Sequence, residues 1–263
     1  MLLQIESYLH YRLSAETDIL LQIEAAILPD QRIIAPYLQP GPTLHFARVN
    51  AESSVGERIW MRVAGDFTCQ YRASVEVDRA NPDLNALASV PPHLLPGGVV
   101  QYLMPSRYCP SDQFQNFVIE EFGSLSGGAR VMAIADWVAR NIRYVPGASH
   151  AGTTALDTFV QRQGICRDFA HVMIAMARAS TIPARFVSAY APGVEPPDFH
   201  AVVEVFLDGG WQLFDPTGMS TASTIARIGV GLDAAETAFL TSYGPAELVT
   251  QTVSVVETAA RNG

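Results

Sequence analysis

Between Asn81 and Asp112 the sequence reads "NPDLNALASVPPHLLPGGVVQYLMPSRYCPSD", with prolines at Pro82, Pro91, Pro92, Pro96, Pro105 and Pro110. Proline fixes φ and removes a backbone donor, so neither a long helix nor a central strand can run through such a stretch. The block divides the 263-residue chain into two territories, with a boundary expected near residue 110. Residues 1–110 and 111–263 are each long enough to bury a core of their own.

The first territory reads as strands. "LLQIESYLHYRL" alternates apolar and polar positions, and "DILLQIEAAIL" follows after the break "SAET". "TLHFARVN", "ERIWMRVAG" and "FTCQYRASVEV" are short, rich in β-branched and aromatic residues, and separated by Gly, Ser, Asn or Asp. Such strands about ten residues apart predict an antiparallel β-sandwich or a small barrel. The second territory mixes helix and sheet. "GGARVMAIADWVARNIRYV" sets Val131, Ile134, Ala135, Val138 and Ile142 along one helical stripe. "RDFAHVMIAMARAS" is a second helix, apolar enough to be buried, and Pro183 stops it. "RFVSAYA", "HAVVEVFL", "WQLFD" and "QTVSVVET" are predicted strands, the second and third joined by the hairpin signal "DGG". The fold class expected is therefore α+β, with helices packed on an antiparallel sheet.

Composition excludes some functions. Hydrophobic residues make up 49% and charged residues 16%, with a net charge of −9. A chain this acidic, without a basic run, is not built to neutralise nucleic-acid phosphates or to lie on an acidic lipid surface. No apolar stretch approaches the roughly 18 residues of a membrane span. The first residues lack the basic start and apolar block of a signal peptide. Cys69, Cys109 and Cys166 are too few and too widely spaced for a disulfide framework or a zinc site. A reducing, cytoplasmic compartment is expected, and no metal or cofactor.

The chemistry gathers around "GICRDFAHVM". Cys166 falls where a helix is predicted to begin, with Gly164 for the turn and Asp168 in the first helical turn. A helix N-terminus favours an anion through its free N–H groups and dipole. Cys69, mid-strand, and Cys109, between Tyr108 and Pro110, lack that setting and read as structural. His171 is five residues past Cys166, roughly 140° around the helix, and reads as a structural histidine. His200 opens a strand. If Asp208 and Gly209 form a two-residue turn, Val202 stands opposite Asp215, and His200 shares a sheet face with Asp215. A three-residue turn would reverse that face. The register thus decides whether Cys166, His200 and Asp215 form a nucleophile, a base and its orienting carboxylate. The bland alternative stays open at this point: a buried cysteine, a strand-end histidine and an Asp-Pro turn.

"GICRDFAHVMIAMARASTIPARFVSAYA" followed by "DFHAVVEVFLDGGWQLFDPTG" resembles the transglutaminase-like superfamily, in its bacterial cysteine-protease branch. The family pattern is a G-x-C opening an apolar helix that ends in GIPAR, then HAW-x-E and a strand ending DPT. Here Thr181 replaces the Gly before Ile-Pro, and Val202 replaces the Trp after His-Ala. The resemblance runs from about Arg130 to Gly218; "NIRYVPGAS" and "YLMPSRYCPSD" are similar to the branch as well. It implies a papain-like core with Cys166 as nucleophile, His200 as base and acid, and Asp215 as orienter, preceded by a β-sandwich. It also implies acyl transfer from an amide through a thioester, on a peptide, a protein or a small amide. Hydrolysis and cross-linking use the same residues. The Cys166 N–H is one oxyanion donor, with Tyr108 and Gln163 as candidates for the second. The alternative is a catalytically silent module that binds peptide or protein in the same cleft. Nothing in the sequence selects a natural substrate or an oligomeric state.

Overall fold

The computed structural model describes residues 1–258. Two long strands, β1 (Leu2–Leu21) and β4 (Glu57–Val77), run antiparallel along their whole lengths. Odd-numbered residues of both face inward, from Leu3, Ile5 and Leu9 to Ile19 and Leu21, and from Ile59 and Met61 to Val75 and Val77. The stretch "SAET" does not end β1, as the sequence reading expected. The strand continues through it, and the pairing with β4 slips between Leu13 and Thr17, opposite Gly65. Such an irregularity bends a sheet without losing its inner face. β2 (Gln31–Pro40) and β3 (His45–Asn50) pair with opposite ends of β4. The sequence reading did not foresee β2, because Pro36 and Pro40 argue against a strand. As an edge strand it needs partners on one side only, and its register slips between Ile34 and Tyr37.

The proline-rich stretch holds only short helical turns, of which the α-helical one is α1 (Gly97–Val100), and packs against the helical region C-terminal to it. The Gly128 N–H bonds to the Leu87 carbonyl at 2.8 Å. Then come α2 (Gln115–Phe122), α3 (Gly127–Asn141), a two-residue strand β5 (Arg143–Tyr144), α4 (Ala155–Gln161), β6 (Gln163–Gly164) and α5 (Cys166–Ala179). β5 and β6 pair in parallel, with Tyr144 opposite Gly164. β7 (Ala184–Tyr190), β8 (His200–Leu207), β9 (Gly210–Phe214) and β10 (Ala226–Gly231) form an antiparallel sheet in the order β10-β7-β8-β9. α5 packs on β7 and β8 and is buried from Asp168 to Arg178, as its apolar sequence requires.

The chain then returns. β11 (Leu240–Ser242) and β12 (Ala246–Thr258) both pair with β1, making the N-terminal sheet six-stranded. By hydrogen bonding, that sheet takes strands from both halves of the sequence, whereas a division into 1–110 and 111–263 puts the last strands in the second unit. Alternation in "QTVSVVET" announces a strand, but nothing local in it names the partner. The two units share a core: Tyr190, Phe199, Ala226 and Ile228 join the apolar cluster of the N-terminal sheet. Ser7 and Tyr190 meet through their hydroxyls at 3.0 Å.

Candidate active site

Cys166 is the first residue of α5 and only 9% exposed. Its position is set by Asp168, whose carboxylate accepts the Ile165 N–H at 2.8 Å and so closes the start of the helix. Gly164 lies against that carboxylate: a Cβ there would come within 2.6 Å of the Asp168 Cβ. The G-x-C-x-D pattern is thus one packing unit.

The β8–β9 hairpin has the two-residue turn. Asp208 and Gly209 both have positive φ, Leu207 pairs with Gly210, and Val203 pairs with Phe214. This register brings His200 and Asp215 together, with Nε2 of His200 and Oδ2 of Asp215 2.9 Å apart. The Asp215 carboxylate is fully engaged. Oδ1 accepts the Thr217 N–H at 2.9 Å and the Thr217 hydroxyl at 2.7 Å, and Oδ2 also accepts the Ser220 N–H at 2.9 Å. Burial pushes its pKa up, yet His200 and Thr217 together hold it below the ordinary carboxylate range.

Burial alone would lower the pKa of His200. The bond to Asp215, and after it the neighbouring Cys166 thiol, reverse this and raise it to about 9. Nδ1, the ring nitrogen turned away from Asp215, is buried and has no hydrogen-bond partner. The thiol is therefore within electrostatic reach of the ring but short of hydrogen-bond geometry, a spacing common at catalytic pairs without substrate. The structure brings Cys166, His200 and Asp215 to one place.

Burial pushes both Cys69 and Cys109 up to about 12, which holds them protonated. His171 is structural: it is fully buried, accepts the Ala234 N–H at 3.2 Å, and burial drives its pKa down to about 3. Tyr108 stacks on His171 and donates its hydroxyl to the Ala151 carbonyl at 2.7 Å, which commits that proton elsewhere. Gln163 lies in β6, two residues short of the helix cap Ile165.

Tyr144 is the residue the sequence reading missed. Opposite Gly164 in the β5–β6 pair, it rests its ring near Phe169 of α5, close enough to Cys166 for that residue to act on its hydroxyl. Burial, then the thiol, push its pKa up to about 12. Among the described residues, no three His, Cys, Asp or Glu side chains gather so as to hold a metal ion. No helix there is long and apolar enough to cross a membrane.

A cysteine thus heads a helix beside a carboxylate-bound histidine on an antiparallel sheet. The core profile of the transglutaminase-like superfamily matches residues 119–216, a span that contains all three side chains. A Cytophaga hutchinsonii protein named "a Putative Cysteine Protease" is 32% identical in sequence, with a TM-score of 0.92 over 99% of this chain and 92% of that one. An uncharacterized protein of Mycobacterium leprae is 32% identical over 115 residues, 39% of this chain and 40% of that relative's length. The periplasmic domain of TgpA from Pseudomonas aeruginosa is similar over 81% of this chain and 76% of its own, at 19% identity and a TM-score of 0.41. The chain belongs to the transglutaminase-like superfamily.

Proposed function

We propose that this protein catalyses thiol-dependent acyl transfer from an amide, with Cys166, His200 and Asp215 as its triad. The observation that carries the reading is His200, held by Asp215 on one nitrogen and left free to the Cys166 thiol on the other. The Cys166 sulfur attacks the amide carbon and a C–S bond forms. The tetrahedral oxyanion collapses, the C–N bond breaks, and the amine leaves with the proton carried by His200. Water or a second amine then attacks the thioester, gives a proton to His200, and releases the acid or the new amide together with free Cys166. Asp215 orients the imidazole and balances its charge. The Cys166 N–H donates to the oxyanion, and Tyr144 supplies the second donor in place of Tyr108 and Gln163, because its hydroxyl is close enough to Cys166 to be acted on by it.

The same reading takes the N-terminal strands as a sandwich made by folding one sheet upon itself. Support comes from the single apolar cluster shared by both halves of β1 and β4. Three cysteines without a disulfide support a cytoplasmic setting.

The test is alkylation with iodoacetamide at neutral pH, with the adduct mapped by mass spectrometry. Cys166 is expected to react well before Cys69 and Cys109, and Cys166→Ala to fold as the wild type does while losing all turnover of peptide and arylamide substrates. Retained turnover in Cys166→Ala ends the nucleophile assignment. A silent binding module predicts no acyl-enzyme mass increment with any amide.

A further inference from the structure

We propose that the seam between the N-terminal sheet and the sheet of β7 to β10 holds a small monovalent anion, bound by Arg79 and Arg227 in a small polar cavity. Three buried arginines meet there. Arg79 follows the end of β4, Arg185 lies on β7 and Arg227 on β10, with side chains 10%, 6% and 11% exposed. Two acids face them: Asp30, just before β2, and Glu204, on β8. Glu204 binds Arg185 through one oxygen and Arg227 through the other, each at 2.6 Å. Asp30 binds Arg79 at 2.6 Å through Oδ2 and Arg227 through Oδ1. Every carboxylate oxygen of the pair is therefore engaged. Among the described residues, no other carboxylate comes within ion-pair distance of these guanidinium groups. Three positive charges share two negative ones, and arginine does not relieve the excess by losing a proton.

The excess charge lies beside open space. A cavity of about 70 Å³ is lined by Arg79, Arg227, Asp30 and Glu204, with the amides of Asn81 and Gln212 also at its walls. Arg79 directs Nε to Asp30 and Nη1 to the Ala222 and Ile225 carbonyls, while its Nη2 is buried and has no partner. Arg227 directs Nη1 to Glu204 and Nη2 to Asp30, and its Nε is buried and has no partner either. The two arginines that line the cavity thus each keep a buried donor for a ligand. Water satisfies such N–H groups but leaves the charge, and an uncompensated buried charge is strongly unfavourable. An anion meets both needs. The room sets its size: about 70 Å³ holds roughly two waters at ~30 Å³ each, which suits a halide ion with a water beside it. One unit of excess charge sets its valence. Burial, and then the charge of Arg227, hold Arg79 below its ordinary pKa, a repulsion that an anion between the two relieves.

The experiment follows thermal denaturation as sodium chloride replaces sodium gluconate at fixed ionic strength, gluconate being too large for the cavity. Chloride should raise the midpoint saturably, by about 2–4 °C once it exceeds its dissociation constant several-fold. Arg79→Met leaves two guanidinium groups against two carboxylates and should lose the chloride increment, whatever its own midpoint. Arg79→Lys keeps the charge and should keep part of the increment. Should Arg79→Met not fold, wild-type crystals grown in sodium bromide decide, and their anomalous scattering should place bromide between Arg79 and Arg227. Equal midpoints in the two salts, an undiminished increment in Arg79→Met, or a cavity in those crystals that holds water alone overturns the proposal.

Discussion

His200 ties the chemistry of the site to its stability. Its pKa in the folded protein is about 9, against 6.5 for a free imidazole. A group raised on folding stabilises the native state fully below its unfolded pKa, and that contribution fades as pH climbs through the folded value. The stability advantage of the wild type over His200→Gln should therefore be largest below pH 6.5 and shrink as pH passes 9, as read from denaturation midpoints at each pH. A difference that grows toward alkaline pH would contradict the charged-imidazole picture. At this scale the sequence was informative where spacing carries geometry. A helix head marks Cys166, and hairpin register sets Asp215 beside His200. Tyr144 was not legible, since it lies 22 positions before Cys166 and reaches the thiol only through a two-residue parallel pairing. The helical stripe runs on through "NIRYV" in the sequence, which conceals the short strand and what its tyrosine meets.

At the scale of elements, the start of α5 is the most sensitive joint. Gly164→Ala forces a methyl group onto Asp168 and disturbs the carboxylate that caps the helix. It should cost about 1–3 kcal/mol, the usual penalty for overpacking, and slow alkylation of Cys166, because the same carboxylate sets the helix head. Thermal melts and alkylation rates read both effects. The amphipathic α3 and apolar α5 were legible because their periodicity directly reflects burial. Strand limits were less so. β1 and β4 each run through polar or glycine-containing stretches that read as breaks, because a bend in a paired strand keeps its hydrogen bonds while interrupting the alternation. β2 was hidden by prolines that an edge position tolerates.

At the scale of the molecule, the two sheets are joined by charge as well as by the shared core. Glu204, fully buried in β8, binds Arg185 and Arg227 at 2.6 Å each; Arg227 reaches Asp30, and Asp30 binds Arg79 at 2.6 Å. Removing the central acid strands the buried Arg185 guanidinium and takes one of its two carboxylates from Arg227. Glu204→Ala should lower the unfolding free energy by about 3–5 kcal/mol, the range for breaking a buried ion pair, as read by chemical denaturation. This network joins Asp30 to residues 185, 204 and 227, a link that no local pattern announces. All 17 basic side chains counted as Lys or Arg are arginine. The proposed thioester on one copy would therefore meet no lysine side chain on another, and lysine cross-links in an assay would come only from added acceptors.

The strand that closes the N-terminal sheet has a mechanical consequence. Leu2 faces Thr258, and Leu9 faces Gln251. Tension drawn across these strand ends loads the ladder one rung at a time, as on a zipper, rather than shearing all its bonds together. After the seven pairs from Leu2 to Tyr8 have opened, the next rung carries Gln251, whose side chain holds Asp198. A pull on this edge thus reaches the loop that leads into His200 while α5 and the sheet of β7 to β10 still stand.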